Sequence, residues 1–186
     1  MLEKINKAFL FALEAHAGQS RKDGKPYIAH PFSVAQILSS DGADDDLVCA
    51  GLLHDVIEDA HVKPERIKEE FGDEVLRLVM FDTEDKSKSW EERKKQTIEE
   101  LKHCDKKCAM LICADKLANI NDTKQVLDDF GEDAWKYFKF GREVQEWLYR
   151  GYLDALKQLS DLKMYKELKE NVELVFSRRN NYENKC

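Results

Sequence analysis

Breakers are scarce in this chain. Its 186 residues include only 8 Gly and 3 Pro, so most of the polypeptide is free to run in long uninterrupted elements. The stretches between breakers are built largely from Leu, Lys, Glu, Ala and Asp, and most of these residues favour helix. Apolar positions recur at helical spacing from the start, as Leu2, Ile5, Phe9, Ala12 and Leu13. The expectation is an all-α fold, a compact multi-helix bundle. A charged fraction of 36% beside a hydrophobic fraction of 42% suits helices that each keep one solvated face. The length suits one domain with a buried core. That domain is placed at residues 1–178, and the polar tail 179–186 is expected to be disordered.

Local signals divide the chain further. A first helix is expected to end near Gly18, followed by the loop GQSRKDGKPYIAH. Pro31 suits the first position of a second helix reaching about Ser40. An acidic residue among Asp44 to Asp46 can cap a third, expected to continue through DLVCAGLLHDVIEDA. Pro64 opens a fourth, closed by Gly72, and Asp73 can cap the fifth. FDTEDKSKSW reads as a loop, Trp90 to Lys102 as a charged helix, and Asp105 as the cap of a longer, buried one. A break is expected at Asp128 to Gly131, before an aromatic-rich segment and two amphipathic helices.

A net charge of −7 gives no basic surplus with which to neutralise a nucleic-acid polymer. No run approaches the roughly 18 apolar residues of a membrane span, and the N-terminal stretch reads as a helix rather than a signal peptide. Neither a nucleic-acid nor a membrane partner is expected. Five cysteines, Cys49, Cys104, Cys108, Cys113 and Cys186, are an odd number that suits free thiols in a cytoplasmic protein. His103 with Cys104, Cys108 and Cys113 lacks the ligand spacing of a zinc knuckle.

The chemistry concentrates in HDVIED, residues 54–59. On a helix His54, Asp55, Glu58 and Asp59 would crowd one stripe, and three carboxylates there repel unless a cation is present. An acidic helix end would explain the string alone. Two further residues shift that reading. His30 is fixed beside Pro31, and Asp115 interrupts the apolar run LICADKLANI, where a charge needs a strong partner. Two imidazoles and two carboxylates suit Mn²⁺, Fe²⁺ or Zn²⁺ better than Ca²⁺. Arg21, Lys22 and Lys25 before His30, and Lys116 beside Asp115, add cations for an anionic substrate. Asn119, one turn after Asp115, could reach the same cavity.

The order H…HD…D resembles that of the HD phosphohydrolase superfamily. The strings HAGQSRKDGKPYIAHPFSVAQIL, AGLLHDVIEDA, FGDEVLRLV, DTEDKS and CADKLANI resemble the hydrolase half of the Rel/SpoT alarmone enzymes and the stand-alone small alarmone hydrolases. The resemblance spans roughly residues 1–125. It implies an HD-domain bundle and hydrolysis of guanosine tetra- or pentaphosphate (ppGpp, pppGpp) at the 3′-pyrophosphate. It also implies His30, His54, Asp55 and Asp115 as ligands of one Mn²⁺, Glu58 and Asp59 as the catalytic pair, and Arg21, Lys22 and Asn119 as substrate contacts, to which the charge reading adds Lys116. Lys116, Ala118, which replaces a larger residue beside the pocket, and Asn121-Asp122 depart from the long enzymes' pattern; Trp147 stands where a ring packs near the substrate in small hydrolases, but core packing is its expected role. Two other readings compete: an HD hydrolase of another nucleotide or phosphoester, and a nucleotide-sensing module without catalysis.

Overall fold

The computed structural model describes residues 2–21 and 24–177. Lys22 and the expected disordered tail therefore lie outside the described residues, as does Cys186. Among the described residues the elements are all helical: α1 (Leu2–Ala15), α2 (Ala29–Ser40), α3 (Asp45–Leu53), α4 (Pro64–Phe71), α5 (Asp73–Asp82), α6 (Trp90–Leu101), α7 (Lys106–Phe130), a 3₁₀ segment (Gly131–Tyr137), α8 (Gly141–Ala155), a 3₁₀ turn (Lys157–Leu159) and α9 (Lys163–Ser177). None is long and apolar enough to cross a membrane.

The 25-residue α7 is the axis of the bundle, packing against α2, α3, α5 and α9. Its N-terminus is set by Asp105, whose carboxylate accepts from the Cys108 amide, and residues Cys108–Asp115 are continuously buried. The seven residues Leu47–Leu53 of α3 are also all buried, after a cap in which Asp44 accepts from the Leu47 amide. Burial on every face explains why these two segments read as apolar runs rather than stripes.

Gly51 lets α3 press against α2. A Cβ there would lie 2.6 Å from Leu38 Cδ1 and 3.4 Å from the Ala35 Cα. This close approach brings the start of α2, with His30, toward the end of α3, with His54.

Several boundaries differ from expectation. Helix α2 opens at Ala29, two residues before Pro31. Proline is tolerated there because first-turn amides have no partner within the helix. Asp73 is the first residue of α5 rather than its cap: Gly72, at φ 94°, ends α4 and starts α5 in one step. The break after α7 falls at Gly131 alone, at φ 59°. The largest correction concerns residues 54–60. Helix α3 stops at Leu53, and the HDVIED segment is a series of turns. The Val56 amide bonds to the Leu53 carbonyl, and the Asp59 amide to that of Asp55 at 2.8 Å. An acidic run opposes the negative C-terminal end of a helix, which favours leaving the helix at this point.

Candidate active site

Three distant segments bring four donor groups together. His30 comes from the first turn of α2, His54 and Asp55 from the turn after α3, and Asp115 from the middle of α7. One ligand atom each of His30, His54 and Asp115 lie within 4.8 Å of one another, and all three residues are buried. His30 Nε2 is 3.0 Å from Asp115 Oδ1 and 3.2 Å from His54 Nε2. Asp55 Oδ2 lies 3.2 Å from His54 Nε2 and 3.8 Å from His30 Nε2. All four residues expected as metal ligands are thus brought together.

Hydrogen bonding orients the donors. His54 Nδ1 is 2.9 Å from the Gly51 carbonyl, which can only accept. In the neutral ring the proton therefore sits on Nδ1, and Nε2 offers a lone pair to the cluster. Asn119 Nδ2 donates to Asp115 Oδ1 at 2.7 Å, and Lys116 pairs with Asp115 Oδ2.

Electrostatics favour charged groups despite burial. Burial pulls the His54 pKa down, but Asp55 and Asp115 outweigh it and raise it to about 10. Burial opposes ionisation of Asp55, yet the His54 charge holds its carboxyl below the usual range. Asp115 is likewise held low against burial by Lys116 and His30, and Lys116 is held high against burial by Asp115. Two facing imidazole nitrogens among carboxylates need protons or a cation. The mixed N/O set fits a divalent ion.

The cluster forms part of the wall of a cavity of about 550 Å³. Arg21 lines it, placed 3.2 Å from Asn119 Oδ1 and 2.9 Å from Asp122 Oδ2. Lys116 and Asn119 line it too, so three of the four expected substrate contacts share one space. Glu58 also lines it, with Oε2 accepting from the Glu84 amide at 3.3 Å and Oε1 3.4 Å from Lys86 Nζ. Asp59 does not. Its carboxylate is held by the Tyr27 hydroxyl at 2.7 Å and lies 3.6 Å from Lys86, beside the cavity rather than in its lining.

Other cavity residues went unread in the sequence. The Tyr27 hydroxyl lies 2.7 Å from Asp55 Oδ2, and its ring stacks on buried His16 at 4.5 Å. Tyr27 stands three residues before His30, a spacing that could have drawn attention to it. Glu84 is clamped by Arg93 at 2.9 Å and Lys94 at 2.5 Å, bolting the 83–89 loop to α6. Asp82, Trp90, Phe138, Tyr149 and Tyr152 complete much of the remaining wall. No local pattern marks these as functional.

Two sequence readings, on Ala118 and Trp147, are corrected here. Ala118 is buried and lines a separate groove between α2, α7 and α9, so it does not shape the cavity. Trp147 is 43% exposed and belongs neither to the core nor to the cavity lining. His103 is exposed, and among the described residues no metal-binding group includes it or a cysteine.

A helical bundle that gathers two histidines and two aspartates from three distant segments at the wall of a cavity that also presents Arg21, Lys94 and Lys116 defines a class, the HD-type domains. A family model described as HD domain matches residues 8–135, and the chain belongs to that family. It is 36% identical over 164 residues to guanosine-3′,5′-bis(diphosphate) 3′-pyrophosphohydrolase MESH1 of Danio rerio, across 85% of this chain and 88% of that one. The crystal structure of lmo0812 from Listeria monocytogenes EGD-e superposes with TM-score 0.76 at 38% identity, covering 80% of this chain and 99% of that one. A structure described as a metazoan ortholog of SpoT that hydrolyzes ppGpp gives TM-score 0.76 at 26% identity, with 95% of both chains covered.

Proposed function

We propose that this chain is a ppGpp 3′-pyrophosphohydrolase of the cytoplasm, using one Mn²⁺ held by His30, His54, Asp55 and Asp115. The observation that carries the reading is the convergence of those four donors at the wall of a cavity that also holds Arg21 and Lys116. The relatives named for this activity, aligned over most of both chains, support the substrate. A divalent ion bound there supplies Lewis acidity toward a phosphoryl oxygen and makes water more acidic.

The chain's own residues divide the remaining work. Glu58, facing the cavity and steadied by the Glu84 amide, takes the proton of the attacking water. Asp59 acts through Tyr27, sharing that hydroxyl with Asp55 and so fixing where Asp55 points. Arg21, Lys22 and Lys116 neutralise the phosphates, and Asn119 orients Asp115 and Arg21 while its second amide N–H is offered to the nucleotide. Displacing Asp122 from Arg21 would free the guanidinium for phosphate.

Pyrophosphate release from ppGpp with Mn²⁺ present tests this reading. Activity is expected to vanish with chelator and in His54→Ala. Glu58→Ala is expected to keep the metal and lose about 10²-fold or more in kcat. A wild-type protein that binds Mn²⁺ but leaves ppGpp intact while cleaving another nucleotide would end the substrate assignment.

A further inference from the structure

Six carboxylates line the cavity: Asp55, Glu58, Asp82, Glu84, Asp115 and Asp122. Five are engaged by protein groups. Asp55 and Asp115 sit with the imidazoles, Glu58 meets an amide and Lys86, Glu84 meets Arg93 and Lys94, and Asp122 meets Arg21. Asp82 stands apart. Among the described residues it makes no hydrogen bond and no ion pair within 4.0 Å.

Its placement disfavours an anion. Asp82 is the last residue of α5, at the negative end of the helix dipole. Asp115 and Lys116 of α7 and His54 and Asp55 of the turn after α3 act on it most strongly, and its charge acts in turn on Tyr152 of α8. Burial and Asp115 push its carboxyl up, and Lys116 and His54 only partly oppose them, leaving it at about 7. A carboxyl that holds its proton near neutrality, free of protein partners and facing a phosphate cavity, has the properties of a general acid.

We propose that Asp82 is a further catalytic residue, donating the proton that the leaving ester oxygen takes up. This rests on the hydrolase reading above. The water oxygen forms a bond to the phosphorus attached to ribose O3′. The P–O3′ bond breaks, its electron pair passes to O3′, and the Asp82 proton goes to that oxygen. The proton of the attacking water goes to Glu58, and exchange with solvent restores both acids. The products are pyrophosphate and a nucleoside 5′-diphosphate with a free 3′-hydroxyl. An alkoxide is a poor leaving group, so the donated proton matters. Asp59, outside the cavity lining and bound to Tyr27, is less well placed to give it.

The test compares wild type with Asp82→Asn, both loaded with Mn²⁺, on ppGpp and on a nitrophenyl nucleotide ester whose leaving group needs no proton. The expected result is a kcat loss of about 10²-fold on ppGpp, with little change on the nitrophenyl ester. In wild type kcat falls as pH rises through the range where Asp82 loses its proton, and that limb disappears in Asp82→Asn. Cation and anionic substrate shift this range in opposite directions, so the profile is the readout. Equal losses on both substrates, or none on either, would overturn the proposal. If wild type ignores ppGpp, the substrate reading falls, and an alkyl ester that it does cleave replaces ppGpp in the same comparison. A readout independent of turnover is the infrared difference between wild type and Asp82→Asn at about pH 6, below the Asp82 range. A protonated-carboxyl band is expected, and its absence would refute the proton donor even if no ester is cleaved.

Discussion

Tyr27→Phe isolates how a single hydroxyl supports Asp55, one of the four proposed metal ligands. The Tyr27 oxygen lies 2.7 Å from Asp55 Oδ2 and 2.7 Å from Asp59 Oδ2. A phenol has one proton, so it can donate to only one of these at a time. Burial, followed by the charge on Asp55, pushes the hydroxyl well above the usual tyrosine range, so it remains a donor. Phenylalanine keeps the stack on His16 and removes only the hydroxyl. A hydrogen bond to a charged group contributes about 1.5–3 kcal/mol, but the Asp55 side chain is 21% exposed and water can replace part of it. The expected loss is therefore the cost of an unfixed ligand, about 10- to 100-fold in Mn²⁺ affinity, or about 1.4–2.7 kcal/mol. Calorimetric titration of chelator-stripped protein measures it directly. At saturating Mn²⁺ most of kcat should return, because the hydroxyl orients a ligand and performs no chemistry. An affinity within about twofold of wild type would show that Asp55 is fixed by other means.

Other perturbations probe the frame around the site. Stripping the metal should lower Tm by about 5–10 °C relative to protein in roughly 100-fold excess over Kd, since such excess stabilises by about 2.7 kcal/mol; an unchanged melting curve would deny that the cluster holds an ion. Gly51→Ala should cost about 1–3 kcal/mol, read from denaturant unfolding, because the new methyl meets Leu38 at 2.6 Å and the Ala35 backbone behind it. It should also weaken metal binding, since the Gly51 carbonyl orients His54. Acid should destabilise the metal-free protein through Glu74, lowered to about 2 chiefly by its hydrogen bonds to Arg77, and through Asp44 and Asp105, also lowered. A carboxyl whose pKa is depressed by folding contributes stability above its unfolded pKa and loses it as pH falls. Unfolding should therefore become easier from about pH 4.5 downward, and Glu74→Gln should flatten that dependence.

The four clustered donors could be read from sequence because burial makes their chemistry conspicuous. A carboxylate inside LICADKLANI and a histidine-acid string after LVCAGLL violate the apolar pattern, and such violations mark function. Arg21 and Asn119 followed from that reading and indeed share the cavity. Helix starts were legible where capping residues exist, as at Asp44 and Asp105. The geometry of HDVIED was not legible. Its spacing suits one face of a helix, but whether α3 continues depends on tertiary contacts that no local pattern encodes. Asp59 left the cavity lining for that reason.

The C-terminal half was the least legible because its contribution is shape. Leu148, Tyr149 and Tyr152 of α8 close the cavity wall, and helical periodicity marks them only as core. Lys116 links the two halves: it pairs with Asp115 and lies 5.2 Å from the centre of the Tyr152 ring, so α8 holds a cation against the His-Asp cluster. Glu84 does the same from the other side, joining α6 to the amide that steadies Glu58. The HD motif thus supplies the donors, while partners far away in sequence determine their orientation and charge. Divergence in α6 and α8 can then tune substrate choice without altering a single ligand.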